Sequence, residues 1–465
     1  MRYTGYGRFT IRSEFFESGG PMKFVVIGGD AAGMSAASRA RRLYPDLEIT
    51  VLEQGFDVSY SACSMPYNIA DPDTPMDDLV VRSAEEFIDK HQIDLRTGHR
   101  ATAIDPSTKE VAARTVDGES VVFAYDKLLI ATGAVPTLPD LPGKDRLMPL
   151  KQLEHGRRIK QMIQKHPVNK AVILGMGYIA LEMCEALAGL GIHVTMVKPG
   201  PRLLPWLPEK LAQIVQEELI RKHVILHMGT DILRIEPRGP GSSIICDGLT
   251  LDADLVIGAT GVAPCSDLAK DAGLDLGVSD AIRVDPYLRS SNPDIFAAGD
   301  CGDAIHVVTG KPVWIPLALR ANRAGWAVAD NLFADSNALQ GVAGTAVFKV
   351  FDLTVVRSGL TLSEAKKAGF DPVENQISSL SRARWQPGAA KIHINMVGDR
   401  QSGRLLGAQA TGTDGVAHRI NAVAVALHAH MSVADFIQTD LAYAPPFSPT
   451  WDPMLTAAIQ LQKKL

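Results

Sequence analysis

One arrangement of residues occurs twice in this chain, and it restricts the fold more than any other feature. Lys23–Gly28 (KFVVIG) is a short, β-branched apolar run, the pattern of a strand buried on both faces. It runs into GGDAAG at 28–33, and the Met34–Leu43 stretch that follows has helix-forming composition. A second apolar run, Glu48–Leu52, ends at Glu53, 20 residues beyond Gly33. The arrangement returns as Ala171–Leu174, the turn GMGYIA at 175–180, a helix over Leu181–Leu190 and a strand over Ile192–Val197. Each copy is a βαβ unit closed on a glycine turn. The predicted class is therefore α/β, with two Rossmann-like dinucleotide-binding domains.

The turns also predict chemistry. A glycine turn opening a helix aims backbone N–H groups and the positive end of the helix dipole at a pyrophosphate. In the first turn Gly28, Gly29, Ala32 and Gly33 supply that backbone, and Glu53 stands where an acid hydrogen-bonds an adenosine ribose. Asp30 replaces the middle glycine, and its charge repels a pyrophosphate unless it is turned away. The second turn, Gly175-x-Gly177 with Tyr178 and Ile179, has no such departure. Its second strand ends in Lys198, with Arg202 four residues on, instead of an acid. A cation there suits a 2′-phosphate, so NADPH is expected over NADH, with NADH left open.

Between the two units, Leu79–His91 reads as an amphipathic helix and Lys127–Ile130 as a strand leading into ATGAVP at 131–136. Ala253–Ile257 reads as a strand before GATGVAP at 258–264, and Ile295–Ala298 as one before GDC at 299–301. Beyond about residue 342 the pattern changes to strands over Val347–Val356, Lys391–Val397 and Leu405–Ala410, with helices over Gly415–His428 and Val433–Gln438. That is an α+β tail long enough for a domain of its own. The expected division is 22–145 with 264–338, then 146–263, then 342–465.

Composition narrows the class further. The 47 Lys+Arg against 52 Asp+Glu give a net charge of −5, which excludes a strongly basic nucleic-acid footprint and a disordered acidic chain. The cysteines at 63, 184, 246, 265 and 301 are at least 19 residues apart. That spacing excludes a zinc ladder, a C-x-x-C pair and a disulfide framework, and it points to a reducing, cytoplasmic setting with no metal. No uncharged apolar run is long enough to span a bilayer. Residues 1–21 lack the apolar core of a secretory signal and are expected to be a disordered extension before a true start at Met22.

Four motifs together resemble one superfamily, the flavin- and nicotinamide-dependent disulfide reductases: the first turn with Glu53, ATG at 131–133, the second turn, and FAAGD at 296–300. The resemblance implies FAD on the first unit, with Thr132, Gly133, Gly299, Asp300 and Pro316 at the flavin and Asp300 on its ribitol. It places Gly261 and Glu182 at the cofactors; Glu182 is equally open to being a surface helix acid. Within the superfamily, SYSACSMPYNI at 59–69 holds a single cysteine where common members have two, four apart. With YAPPFS at 443–448 this resembles the branch of coenzyme A disulfide reductases and persulfide reductases, which is related to NADH oxidases and peroxidases. In that branch the α+β tail is a dimerisation domain and carries the tail residues to the partner's cysteine.

The resemblance and the chemistry of a lone cysteine agree. Cys63 has no neighbour for an internal disulfide, so it holds a mixed disulfide with a small thiol or is oxidised to a sulfenic acid. A helix beginning after Cys63 is expected to favour its thiolate. Carried across residue by residue, Ser35, Arg39, Arg42, Ser59 and Asn322 are expected to meet coenzyme A, which is a candidate for residence on Cys63. Tyr443 is expected to protonate a leaving thiolate. Ala31 stands where the oxidases and peroxidases carry a histidine, which moves the expectation from peroxide toward a disulfide or persulfide. Ala62, Trp385 with Gln386, and Trp451 depart from the branch's Asn, paired Tyr and Lys. Those departures imply a shifted substrate with Trp385 and Trp451 beside it, or else indoles packing at a dimer interface. The expected enzyme is a homodimeric NADPH-dependent flavoprotein disulfide reductase. An NAD(P)H oxidase and an electron-transfer reductase for a small redox protein are the alternatives.

Overall fold

The computed structural model describes residues 21–465, so the extension expected over 1–21 lies outside the described residues except for Pro21. Two five-stranded parallel sheets form the body. The first runs in the order Ile295–Ala297, Lys127–Ile130, Lys23–Ile27, Glu48–Leu52, Asp94–Arg96. The second runs Ile225–Met228, His193–Lys198, Lys170–Leu174, Leu255–Gly258, Met148–Pro149. A third sheet, of five antiparallel strands between Ala346 and Gly412, makes the tail an α+β unit.

Twelve α-helices dress these sheets among the described residues. In the first half they are α1 (Ala31–Leu43), α2 (Met65–Ala70), α3 (Ala84–His91), α4 (Leu153–Lys165), α5 (Tyr178–Gly189) and α6 (Glu209–Arg221). The rest are α7 (Asp267–Asp271), α8 (Ala318–Asn331), α9 (Leu362–Ala368), α10 (Val416–His428), α11 (Val433–Ile437) and α12 (Pro453–Gln462). The central strands bury nearly every side chain, as in Phe24, Val26, Leu129 and Phe296. Each such residue contributes roughly 2 kcal/mol from area removed from water. Helix α1 meets α8 through small residues, with Ala32, Ala36, Ala321 and Ala324 all buried. A Cβ on Gly325 would collide with the Ala32 carbonyl, so the two helices approach at backbone distance.

Three expected elements are divided. The Leu79–His91 helix is a 3₁₀ turn at Met76–Leu79 followed by α3 alone. Between them Val81 N–H donates to the Ser59 carbonyl (2.8 Å) and Ser83 caps α3, so the backbone is committed to the Cys63 segment and not to a helix. The Ala253–Ile257 strand breaks at Asp254, whose carboxylate accepts from the N–H groups of Asn169 and Lys170. Leu249–Ala253 belongs to a small antiparallel sheet instead. The Val347–Val356 run is a hairpin of Ala346–Val350 and Leu353–Gly359, turned at Phe351 with φ +52°. Two three-stranded antiparallel sheets, His99–Ala124 and Ile232–Ala253, had no counterpart in the sequence reading.

Candidate active site

Gly28 and Gly175 adopt the same backbone, φ +112° in both, at the end of the central strand of each parallel sheet. A Cβ at Gly28 would strike the Ala131 carbonyl, and one at Gly175 the Ala259 carbonyl. Gly33 sits directly over the Gly28 carbonyl, which brings the α1 N-terminus down onto the turn. Glu53 closes the first cradle: its carboxylate accepts from Gly29 N–H (2.8 Å) and Gly55 N–H (2.7 Å). Open space surrounds Gly177 in the second cradle, the room a pyrophosphate needs against backbone N–H groups. These residues therefore fit two dinucleotides. Asp30 is the exception, because its Oδ1 is buried without a partner. Burial raises its pKa to about 6, and the charge of Lys151 pulls the other way.

The segments that back the two cradles, 131–137 against Gly28 and 259–265 against Gly175, are bonded to each other. Thr132 Oγ1 donates to the Cys265 carbonyl (2.5 Å), Cys265 N–H donates to the Gly133 carbonyl (2.9 Å), and Thr137 N–H donates to that of Gly261 (2.9 Å). At the other edge Asp300 accepts from Lys151 Nζ (3.0 Å), while Trp314 Nε1 donates to the Asp300 carbonyl (2.8 Å). Gly299 is pressed toward Ala32 at the head of α1. Pro316 stands two residues before α8, which begins at Ala318. Tyr178 packs on Phe348 and Trp206, joining the second cradle to the third sheet, and Ile179 packs in the same core. Lys198 ends its strand half-buried, its Nζ donating only to the Arg202 carbonyl (2.8 Å). Burial lowers its pKa.

Cys63 occupies a single 3₁₀ turn, Ala62–Ser64, that leads into α2. It is the one exposed cysteine; Cys184, Cys246 and Cys301 are buried, Cys265 is half-buried, and all five are free. The helix after Cys63 exists as expected, but the net shift of the thiol is away from the thiolate. Although the residue is open to solvent, burial of the sulfur's surroundings raises the thiol pKa, and the charge of Glu182 raises it further. Lys151 is the opposing cation. Glu182 is thus a neighbour of Cys63 and not a free surface acid. It accepts from the Tyr67 hydroxyl (2.9 Å), and burial raises its own pKa. Tyr67, one turn beyond Cys63, and Lys151 were missed from sequence. The i,i+4 spacing of Cys63 and Tyr67 was the only signal available for the former.

Ser35 and Asn322, from α1 and α8, hydrogen-bond each other at 2.8 Å. Arg39 is paired with Asp330 (2.5 Å) and lies over the half-exposed ring of Trp326. Arg42 is exposed. Ser59 takes φ +50° and donates from its N–H to the Gly29 carbonyl (3.0 Å), so it borders the first cradle. The tail residues form a separate group. Arg419 gathers them, pairing with Asp452 (2.7 Å) and donating to the carbonyls of Ser381 (2.8 Å) and Phe447 (2.9 Å). Around it Trp385, Tyr443, Phe447 and Trp451 are each more than half exposed. No hydrogen bond or ion pair among the described residues joins this group to Cys63 within the subunit.

Two dinucleotide cradles, a lone exposed cysteine between them and an α+β tail with an aromatic face define a nicotinamide- and flavin-linked oxidoreductase acting at sulfur. The chain belongs to the pyridine nucleotide-disulphide oxidoreductase family, whose model matches residues 22–325; the family's dimerisation domain matches 345–454. It is similar to the NAD(P)H sulfur oxidoreductase (CoA-dependent) of Pyrococcus abyssi, 37% identical over 93% of this chain and 97% of that one. The NAD(P)H coenzyme A polysulfide/persulfide reductase of Pyrococcus horikoshii is also 37% identical, over 94% of this chain and 97% of its own. Among solved structures, a NAD-dependent persulfide reductase from A. fulgidus superposes with a TM-score of 0.92 at 36% identity, covering 95% of this chain and 83% of that one. Family membership carries with it a flavin, a pyridine nucleotide and a dimerisation domain. None of the described helices is long and apolar enough to cross a membrane.

Proposed function

We propose that this chain is an FAD-containing reductase that passes electrons from NADPH through flavin to Cys63 and on to a low-molecular-weight disulfide or persulfide, coenzyme A-linked in the first instance. The observation that carries the reading is Cys63 itself, exposed at the head of α2 with the other four cysteines buried or half-buried. A thiol so placed meets a substrate's sulfur and has no internal partner to close on. The relatives named for coenzyme A and persulfides support the substrate class.

FAD would rest on Gly28, Gly29, Ala32, Gly33, Glu53, Thr132, Gly133, Gly299, Asp300 and Pro316, and NADPH on Gly175, Gly177, Tyr178, Ile179 and Gly261. The bound flavin supplies two-electron reduction of sulfur, drawn from the nicotinamide. Lys198 and Arg202 hold a 2′-phosphate. Glu182, through Tyr67, and Lys151 set the charge around Cys63. Ser35, Arg39, Arg42, Ser59 and Asn322 line the approach for the thiol's nucleotide portion, where guanidinium groups suit phosphates. In a homodimer the exposed aromatic face of one tail covers Cys63 of the other subunit. Tyr443 then protonates the leaving thiolate, and Trp385 and Trp451 flank the substrate. The domain limits proposed are 22–145 with 264–338, 146–263 and 342–465, and the free cysteines suit a reducing, cytoplasmic setting.

The test is anaerobic NADPH oxidation with coenzyme A disulfide, then with coenzyme A persulfide, comparing the parent with Cys63→Ser. Turnover that disappears in the variant supports the reading. Turnover that survives in the variant, or that needs O₂, moves the chain to the oxidases.

A further inference from the structure

Helix α4 leads into the central strand of the second sheet, yet one of its faces is turned to the Cys63 segment. Three residues make that face. Gly156 lets the chain approach the sulfurs of Met65 and Met76, which a Cβ there would meet at 3.2 Å and 3.0 Å. The Arg157 guanidinium grips Asp57 with two nitrogens (2.6 and 2.7 Å) and Asp77 with a third (2.7 Å). Those carboxylates bracket Cys63, six residues before it and 14 after.

Lys160, one turn further on, is only 6% exposed. Its Nζ donates to Asn68 O and Asn68 Oδ1 (both 2.9 Å), to Asp71 O (2.6 Å) and to Thr74 O. Four oxygens surround an ammonium with three protons, and all four belong to neutral groups. None of the described ion pairs includes Lys160. The oxygens are the carbonyl end of α2 and the loop leaving it, where a cation is favoured by the helix dipole. Asn68 closes the same loop, its Nδ2 donating to the carbonyls of Thr74 (3.2 Å) and Pro75 (3.0 Å). Burying an ammonium costs several kcal/mol unless its hydrogen bonds are satisfied. Here that cost is met entirely by the segment that carries Cys63. The turn is also tied by Ser61 N–H to the Leu79 carbonyl (2.8 Å), and α2 buries Met65 and Ile69, but Cys63 itself is exposed and Ser61, Ala62 and Ser64 are half-exposed.

We propose that Lys160, assisted by Arg157, is the positioning residue for Cys63: a cation rooted in the pyridine-nucleotide domain that fixes the register of α2 and so the place of the sulfur. The inference rests on the reading that Cys63 carries the substrate's sulfur. It explains why an ammonium is buried here with no carboxylate in direct contact, Asp71, Asp73 and Asp78 acting on it only from a distance. The oxygens must be drawn inward, and no acid is needed to hold the lysine.

The experiment uses the flavin-loaded dimer and the variants Lys160→Ala and Lys160→Met. Stopped-flow absorbance separates flavin reduction by NADPH from flavin reoxidation by coenzyme A disulfide. Hydrogen exchange of the 60–75 segment reports position without any substrate. Displacement of a reacting group by about 1 Å costs ~100-fold. Reoxidation is therefore expected to slow ~10–100-fold while flavin reduction is unchanged, and exchange over 60–75 to quicken while α1 is unaffected. Propylammonium, which replaces the atoms deleted in Lys160→Ala, is expected to restore both properties in that variant and not in Lys160→Met. Parent-like reoxidation and exchange in both variants overturns the proposal, as does equal loss of both flavin steps or failure of propylammonium to restore the alanine variant. If Lys160→Ala does not retain flavin, Lys160→Met keeps the buried stem and gives the same two-step comparison. The underlying reading fails separately, if Cys63→Ser still turns over coenzyme A disulfide.

Discussion

Asp30 heads α1 where the turn's pattern calls for glycine, and its buried Oδ1 has no partner. Its pKa stands at about 6 against an ordinary 3.8, raised by burial and only partly countered by Lys151. A folded value above the unfolded one means that the folded chain binds the proton more tightly. The group's contribution to stability is then full below about pH 4 and is lost as pH rises through about 6. A shift of about 2 units at about 1.36 kcal/mol each is about 3 kcal/mol, and partial exposure of the residue reduces this to ~1–2 kcal/mol. Asp30→Asn keeps the shape and removes the titration. The variant is expected to match the parent near pH 4 and to be the more stable of the two at pH 8, with the gap opening between about pH 4 and 6 and constant above that. Thermal unfolding of both chains across this range measures it. A gap that does not change with pH, or a less stable variant at pH 8, refutes the reasoning.

Three further outcomes are expected. Lys198→Ala removes a cation worth about 1.5–3 kcal/mol to a phosphate, so KM for NADPH rises ~10-fold or more while that for NADH is unmoved; steady-state kinetics with both nucleotides decides it. Gly33→Ala drives a methyl into the Gly28 carbonyl, and the purified variant is expected to be less stable and free of flavin by its visible spectrum. Arg419→Met strands Asp452, whose side chain is 9% exposed beside an 11% exposed arginine. That costs ~3–5 kcal/mol. A lower melting temperature and a weaker dimer in sedimentation are expected, and an unchanged dimer would contradict the assignment of that face.

The central strands of the parallel sheets were legible because they are short, continuous apolar runs ending on glycines, as in KFVVIG and the run into GMGYIA, whereas the edge strands Asp94–Arg96, Met148–Pro149 and Ile225–Met228 carry no such run. The two small three-stranded antiparallel sheets were not. His99–Asp105 has the burial pattern of a mostly exposed strand, with only Ala101 and Ile104 buried, so its apolar residues are too few to register as a period. The Leu79–His91 helix failed because the Leu79 carbonyl is claimed by Ser61 N–H and the Val81 N–H by the Ser59 carbonyl, a tertiary demand that no local pattern reveals. The cradles, Glu53 and Cys63 were readable from spacing. The thiolate expectation weighed the helix after Cys63 and could not see the burial that raises the thiol pKa most, or Glu182, 119 residues further on. Lys160 and Arg157 were invisible for the same reason: their partners lie 80 to 100 residues away, and a lysine on an amphipathic helix reads as a solvated face.

The central claim is that the substrate's sulfur is carried on Cys63. The most direct measurement is mass spectrometry of the intact protein and its peptides after anaerobic incubation with coenzyme A disulfide and no reductant. One coenzyme A per subunit, confined to the peptide containing Cys63, absent from Cys63→Ser and released by NADPH, is the result predicted. An adduct on another cysteine, or full catalytic turnover with Cys63 never modified, would contradict it.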